Sequence, residues 1–295
     1  MTTSDIIIVG GGINGCSIAF NLAQAGLKVT LVERDFIAAG PTGRSSAIIR
    51  QHYSNEVTAR MALRSWQIWQ NFDDVVGGEV GFEPVGFLLG AGEENIAELK
   101  ANIALQQKVG IETRFITPAE IKELEPQIST AGLAGAAYEP ASGYADPSAA
   151  ATAFAERAKA LGATLRLNTR ALALKTAGGR ITGLLTDQGE LAAGAVVLAA
   201  GPWTPQLTRT IGLDLPIVAT RHEVAVYKRP VTFSKHMVFG DFKEQVYVRP
   251  ETGDLMLVGS IEDTEQAVDP DNYNEKIEFD TVADFAERVT RRYPV

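Results

Sequence analysis

Residues Asp5 to Glu33, DIIIVGGGINGCSIAFNLAQAGLKVTLVE, constrain the fold of this chain more than any other stretch. Ile6–Val9 is a continuous apolar run, as a strand buried on both faces requires. It leads into Gly10-Gly11-Gly12-Ile13-Asn14-Gly15, which fits G-x-G-x-x-G. Ile13–Ala25 then reads as a helix ended by Gly26, and Val29–Val32 as a second strand. Glu33 closes that strand, 18 residues beyond Gly15. In such a unit Gly10 makes the tight turn, Gly12 leaves room for a pyrophosphate, and Gly15 lets the helix pack close to the strand. The helix N-terminus offers free N–H groups to phosphate. Glu33 suits a ribose 2′-hydroxyl and repels a 2′-phosphate. The alternative, a Gly-rich turn with no ligand, would not require the flanking strands and the acid. The stretch alone leaves FAD and NAD both open.

The wider sequence excludes several function classes. With 27 basic and 36 acidic residues the net charge is −9, and no long basic run is present, which argues against nucleic acid or an anionic membrane as partner. No apolar stretch is long enough to span a bilayer, and no signal-peptide pattern precedes Ile6, so a cytoplasmic location is expected. Cys16 is the only cysteine, which excludes an intrachain disulfide and a cysteine-based zinc site, and it reads as a buried helix residue.

Further elements follow from pattern. Helices are expected over Glu56–Phe72, Glu93–Val109, Pro118–Leu124 capped by Thr117, Asp146-Pro147 to Leu161, and about Thr281 to Arg292. Trp66 and Trp69 read as core. Glu83–Leu89 is expected to be extended, and Ala163–Leu167 to be a strand. Ala171–Lys175, Ile181–Thr186 and Leu191–Ala195 form a meander, followed by a separate strand over Val196–Ala200. Arg221–Tyr227, Gln245–Arg249 and Leu255–Ser260 are the later strands. The expected architecture is an α/β FAD-binding Rossmann-like domain (residues 1–82 and 138–213), interleaved with an α+β substrate domain (83–137 and 214–295) built on a mainly antiparallel sheet.

Three more segments carry a resemblance: Gly40-Pro-Thr-Gly-Arg-Ser-Ser46 with Ile48-Ile49-Arg50, Ser142-Gly-Tyr-Ala-Asp-Pro147, and Ala199-Ala-Gly-Pro-Trp203. With the fingerprint they cover most of the chain in order. In this the chain resembles the FAD-dependent amino-acid and amine oxidoreductases of the D-amino-acid oxidase superfamily. It is most similar to the branch holding sarcosine oxidase (its β subunit included), dimethylglycine oxidase, glycine oxidase and proline dehydrogenase β chains.

That resemblance implies FAD rather than NAD. The cofactor contacts would fall on Gly10, Gly12, Ile13, Asn14, Gly15, Glu33 and Arg34 around the ADP. They would continue through Thr42, Arg44, Ser45 and Ser46 along the pyrophosphate and ribityl chain, with Ala171 beside the adenine and Ala200, Gly201 and Trp203 closing over the nucleotide. It implies oxidation of the C–N bond of a small amino acid or N-methyl amino acid by hydride transfer to flavin N5. Oxygen or a redox partner would be the acceptor, and other oxidase subunits would be partners in a hetero-oligomer. Arg50 would pair with the substrate carboxylate, Tyr247 would line the pocket, and His52 would tune the amine's protonation. His222 and His236 show no partner pattern and are read as structural.

Some positions depart from the family pattern. No lysine occurs in Leu255–Gly259, which argues against fast reaction with oxygen. Asp146-Pro147-Ser148 and Arg44 stand where relatives carry flavin-linking histidines, so FAD is expected to be non-covalent. Family members continue past the point matching Val295 with a return to the FAD domain. A fragment is therefore expected, and a non-catalytic FAD-binding subunit is the alternative to an enzyme. An NAD-dependent Rossmann dehydrogenase is the third reading.

Overall fold

The computed structural model describes residues 3–233, 235–262 and 266–294. A six-stranded sheet has the order β8-β2-β1-β11-β10-β9. Its strands are β1 (Thr3–Val9), β2 (Val29–Val32), β8 (Thr164–Arg166), β9 (Ala171–Ala177), β10 (Arg180–Thr186) and β11 (Gly189–Leu198). The first four in that order run parallel, and β10 and β9 return antiparallel as the expected meander. Leu191–Ala195 and Val196–Ala200, expected as two strands, form one. Small alanines let β11 pair with β1 all the way from Thr3↔Ala192 to Val9↔Leu198.

Helices α1 (Ile13–Gln24) and α6 (Pro147–Ala160) pack together on one face of this sheet. Cys16, Ala19 and Ala23 meet Ala150, Ala151, Ala155 and Ala158 in a single core, with the Phe20 and Phe154 rings 5.6 Å apart. Small side chains on both faces permit that close approach. Asp146 caps α6 through Ser148 and Ala149 N–H, with Pro147 in its first turn, and Gly162 beyond it is left-handed at φ +99°. Cys16 is fully buried, and burial with the nearby Glu33 charge pushes its thiol up to about 12, so it is an inert core residue.

A seven-stranded sheet has the order β13-β16-β15-β14-β4-β6-β5. It comprises β4 (Phe87–Ala91), β5 (Arg114–Ile116), β6 (Gly135–Glu139), β13 (Val224–Lys228), β14 (Val238–Asp241), β15 (Val246–Glu251) and β16 (Leu255–Ser260). Only the β14–β4 pair is parallel. One face packs on α5 (Pro118–Leu124) and α8 (Phe279–Arg292) through Ile121, Phe285, Val289 and Tyr293. The other packs on α4 (Ile96–Val109) through Leu99 and Ile103. Thr117 and Glu120 form a reciprocal capping box on α5.

Short pairs link the rest: β3 (Ile48–Ile49) with β7 (Gly143–Tyr144), and β12 (Thr220–Arg221) with β17 (Gln266–Ala267). The single strand expected over Arg221–Tyr227 is therefore broken. The chain pairs with β17, bends at His222-Glu223, and resumes against β16 as β13. The helix expected over Glu56–Phe72 also divides, into α2 (Glu56–Gln70) and α3 (Phe72–Val75), because Asn71 leaves helical geometry. Trp69 joins the core beside Phe72, whereas Trp66 is half-buried and donates its indole N–H to the Ala141 carbonyl. Helix α7 (Thr204–Thr208) follows Trp203. Among the described residues no helix is long and apolar enough to cross a membrane.

Candidate functional site

At the C-terminal end of β1 the backbone turns at Gly10, whose φ of +112° suits only glycine. A Cβ there would lie 2.3 Å from the Ala199 carbonyl oxygen. A Cβ on Gly15 would lie 1.9 Å from the Gly10 carbonyl oxygen, so helix α1 depends on that absence to pack where it does. Gly12 faces Thr42, whose hydroxyl accepts from Ile13 N–H at 3.0 Å. Gly12 has no side chain of its own to cap α1 and Thr42 takes the Ile13 N–H, and the helix turns its positive end onto a cavity of about 600 Å³.

That cavity is walled by Gly10, Gly12, Ile13, Asn14, Glu33, Arg34 and Thr42, and by Ala171, Ala200, Gly201 and Trp203 across the cleft. The two sides come from the ends of neighbouring parallel strands β1, β2 and β11. The Glu33 carboxylate accepts Gly11 N–H at 2.6 Å and Asp35 N–H at 2.9 Å. These bonds fix its position and leave lone pairs for a ribose hydroxyl. A helix N-terminus facing the cavity, glycine-lined walls and an anchored acid fit the ADP half of a dinucleotide. Gly15 alone of the glycines chosen from sequence lies behind the wall, as its packing role requires.

A second cavity of about 940 Å³ shares Arg34, Ala39, Gly40, Pro41 and Trp203 with the first. Its other walls include Arg44, Ser45, Ser46, His222 and Tyr247. Tyr247 lies opposite Gly259 on β16, and a Cβ on Gly259 would sit 2.3 Å from the Tyr247 hydroxyl oxygen. The missing side chain is what lets the tyrosine lie across its neighbour strand. Burial raises the Tyr247 phenol, a hydrogen bond with Ser46 opposes that rise, and the phenol stays neutral. The His222 ring stacks parallel to it, with centroids 6.4 Å apart. His222 thus belongs to the cavity rather than to the structural histidines. The bend that carries it there depends on β17 and β16, so no local signal marks it. His236 is buried as expected, with its Nδ1 against the Met237 carbonyl, and burial lowers it to about 4.

Arg44 lines the second cavity, and its guanidinium bonds the Tyr273 hydroxyl and Glu275, the latter 2.7 Å away. Arg50 and His52 line neither cavity. The Arg50 guanidinium bonds the His52 carbonyl and lies over the Tyr53 ring, 4.6 Å from its centroid. His52 is buried beside Glu139, with Nδ1 3.9 Å from a carboxylate oxygen, and burial together with the Arg50 charge lowers it to about 4. It is therefore a neutral imidazole that lines neither cavity. Glu139, whose acidity burial suppresses, accepts Gln51 N–H at 2.8 Å and the Ser142 hydroxyl at 2.7 Å.

Asp271 was not singled out by sequence reasoning. It accepts the Trp203 indole N–H at 2.8 Å, Arg34 at 2.8 Å and Gln206 at 3.4 Å. The Arg34 guanidinium also covers the Trp203 ring, 4.1 Å from its centroid.

Comparison with known proteins agrees with this geometry. The family model described as FAD dependent oxidoreductase matches residues 5–295. A 4-methylaminobutanoate oxidase (formaldehyde-forming) from Paenarthrobacter nicotinovorans is 31% identical over 261 residues, covering 87% of this chain and 31% of that protein. Mouse mitochondrial sarcosine dehydrogenase is 26% identical over 269 residues, covering 88% of this chain and 29% of that protein. The chain thus spans less than a third of the length of these two relatives. The crystal structure of L-proline dehydrogenase from P. horikoshii superposes with a TM-score of 0.90 at 29% identity, covering 99% of this chain and 77% of that one. The chain belongs to the FAD dependent oxidoreductase family, and its cofactor is FAD.

Proposed function

We propose that this family member oxidises the C–N bond of a small amino acid or N-methyl amino acid of sarcosine-like size. The observation that carries the reading is the continuity of the two cavities across Arg34, Gly40, Pro41 and Trp203. A dinucleotide anchored by its ADP in the first extends its other end into the second, beside Ser46, Tyr247 and His222. The relatives described above are named for 4-methylaminobutanoate, sarcosine and L-proline, each a secondary amine bearing a carboxylate, which supports that substrate class.

Bound FAD would supply a two-electron acceptor at flavin N5 for the hydride leaving the carbon beside nitrogen. The chain's own part is binding and orientation. Arg50 offers a planar fork of donors for the carboxylate once its guanidinium leaves the Tyr53 ring and the His52 carbonyl. The neutral Tyr247 hydroxyl presents a hydrogen bond at the cavity wall, while Ile217, Val218 and Val224 keep the other side apolar. We read the buried His52–Glu139 pair as support for the Arg50 segment, since Glu139 holds the next residue's N–H.

In this reading the six-stranded sheet forms the FAD-binding part, from residues 1–82 and 138–213, and the seven-stranded sheet forms the substrate part, from 83–137 and 214–295, with β6 running on to Glu139. Oxygen or a redox partner takes the electrons, other oxidase subunits are the expected partners, and the setting is cytoplasmic. The test is an anaerobic screen of sarcosine, dimethylglycine, glycine, L-proline and D-amino acids against the flavin-loaded protein. Bleaching of the flavin absorbance by one of them is expected. Flavin that binds but is reduced by none would instead favour a non-catalytic FAD-binding subunit.

A further inference from the structure

An FAD that reaches from the first cavity into the second passes the wall that the two have in common, and Trp203 is part of that wall. Its ring reaches the Gly40 turn so closely that a Cβ on Gly40 would touch ring carbon Cζ3 at 3.5 Å. Trp203 follows β11 and Gly40 lies beyond β2, so their contact bridges the two sides of the cleft. What holds the ring there comes from elsewhere in the chain. Asp271 lies in the segment between β17 and α8, which Val268 N–H ties to the Ala219 carbonyl and a bridge between Asp269 and Asn272 folds into a tight turn. Its carboxylate collects three donors, the Trp203 indole, Arg34 and Gln206, and Arg34 clamps the outer face of the ring.

We propose that Asp271 is a latch: it holds Trp203 closed over the shared wall, so that FAD enters and leaves only when this carboxylate releases the indole and Arg34. The inference rests on the family's cofactor and on no assignment of substrate. Asp271 acts through Trp203 and Arg34, and is therefore a positioning residue. Arg34 and Asp271 keep about a third of their side-chain surface, 33% and 37%. An ion pair that open adds little to fold stability, so its effect is expected in exchange rates rather than in melting temperature.

The test compares the chain with its Asp271→Ala, Asp271→Asn and Trp203→Phe variants. FAD release is followed by the recovery of free-flavin fluorescence after dilution, and uptake by mixing flavin-free protein with FAD. Asp271→Ala and Trp203→Phe are expected to speed both uptake and release by about tenfold, as loss of a hydrogen bond from a gate would. Kd should change less than either rate, and the melting temperature of the flavin-free protein should hold. Asp271→Asn keeps an acceptor for the indole but not the charge for Arg34, and should fall between. Release within twofold of the parent in Asp271→Ala and Trp203→Phe would overturn the latch. Faster release with unchanged uptake would overturn it too, since that result means a contact that only holds bound FAD. A parent chain that takes up no FAD would remove the cofactor reading together with the latch.

Discussion

The Arg292 guanidinium meets the Asp241 carboxylate at 2.6 Å with both side chains out of solvent. The pair ties α8 to β14, and Arg292 also donates to the Ala131 carbonyl at 3.1 Å. Removing one partner leaves the other charged in a dry site, which typically costs about 3–5 kcal/mol, whereas replacing both by apolar groups recovers most of it. Arg292→Ala should therefore lower the unfolding free energy by about 3 kcal/mol or more in urea titrations. The double variant Arg292→Met with Asp241→Leu should regain most of that loss. A single variant as stable as the parent would mean that the buried pair is not formed in solution.

The glycines of the first strand–helix–strand unit separate into two kinds. A Cβ on Gly15 runs into the Gly10 carbonyl, while Gly26, left-handed at φ +84°, has open space around it. Gly15→Ala must push α1 off β1 and should weaken FAD binding at least tenfold in a flavin titration, the loss set by misplaced phosphate donors. Gly26→Ala should cost about 1 kcal/mol of stability and leave FAD affinity alone. Equal FAD affinities in the two variants would refute the close helix–strand packing.

Arg50 is expected to act on substrate and not on cofactor. Arg50→Ala should raise KM for carboxylate-bearing amines by roughly thirtyfold or more, with the flavin spectrum unchanged, and Arg50→Lys should recover little because a bidentate fork is lost. An unchanged kcat/KM for every carboxylate substrate would remove Arg50 from this role.

Two buried histidines and two buried acids, Glu125 and Glu139, shape the pH response of stability. His52 and His236 titrate near 4 when folded, below the usual histidine range, so unfolding binds protons as pH falls from about 6.5 to 4. Stability is therefore present above that window and drains away through it. Glu125, pushed up to about 7 by burial, has the opposite sign: its contribution is full below about 4.5 and disappears as pH rises through 7. The unfolding free energy of the parent, taken from urea titrations, should fall between pH 6.5 and 4.5 only as far as the two histidines outweigh Glu125 and Glu139, whose carboxyls burial raises. Glu125→Gln should steepen that fall and gain stability relative to the parent above pH 7. A Glu125→Gln profile parallel to the parent's would contradict the raised carboxyl.

Punctuation residues made much of the fold readable. Thr117-Pro118 and Asp146-Pro147 begin helices and Gly26 and Gly162 end them by local chemistry that acts the same way in any protein. The first cavity was readable for the same reason, because Gly10–Gly15 and Glu33 form one continuous unit. Strands β6 and β14 were not, since Gly-Ala-Ala-Tyr-Glu and Val-Phe-Gly-Asp are too short for a period to emerge and gain their identity from pairing with β4. The second cavity was legible only in part. Tyr247 was singled out, but His222 reaches it through a bend created by two distant strands. Asp271 stands 237 positions from Arg34, and nothing in the sequence around either residue announces the other.

The parallel pairing of β1 with β11 also orders the events of synthesis. The glycine turn emerges well before β11, and β2 soon covers one edge of β1. The opposite edge stays open until the chain has grown as far as Leu198. Until then the nascent protein carries a strand buried on both faces in its finished form with no partner on one side, the condition under which chains adhere to one another. The Ala199–Trp203 roof arrives later still, so the dinucleotide meets a complete cleft only after two walls far apart in the sequence have both been made.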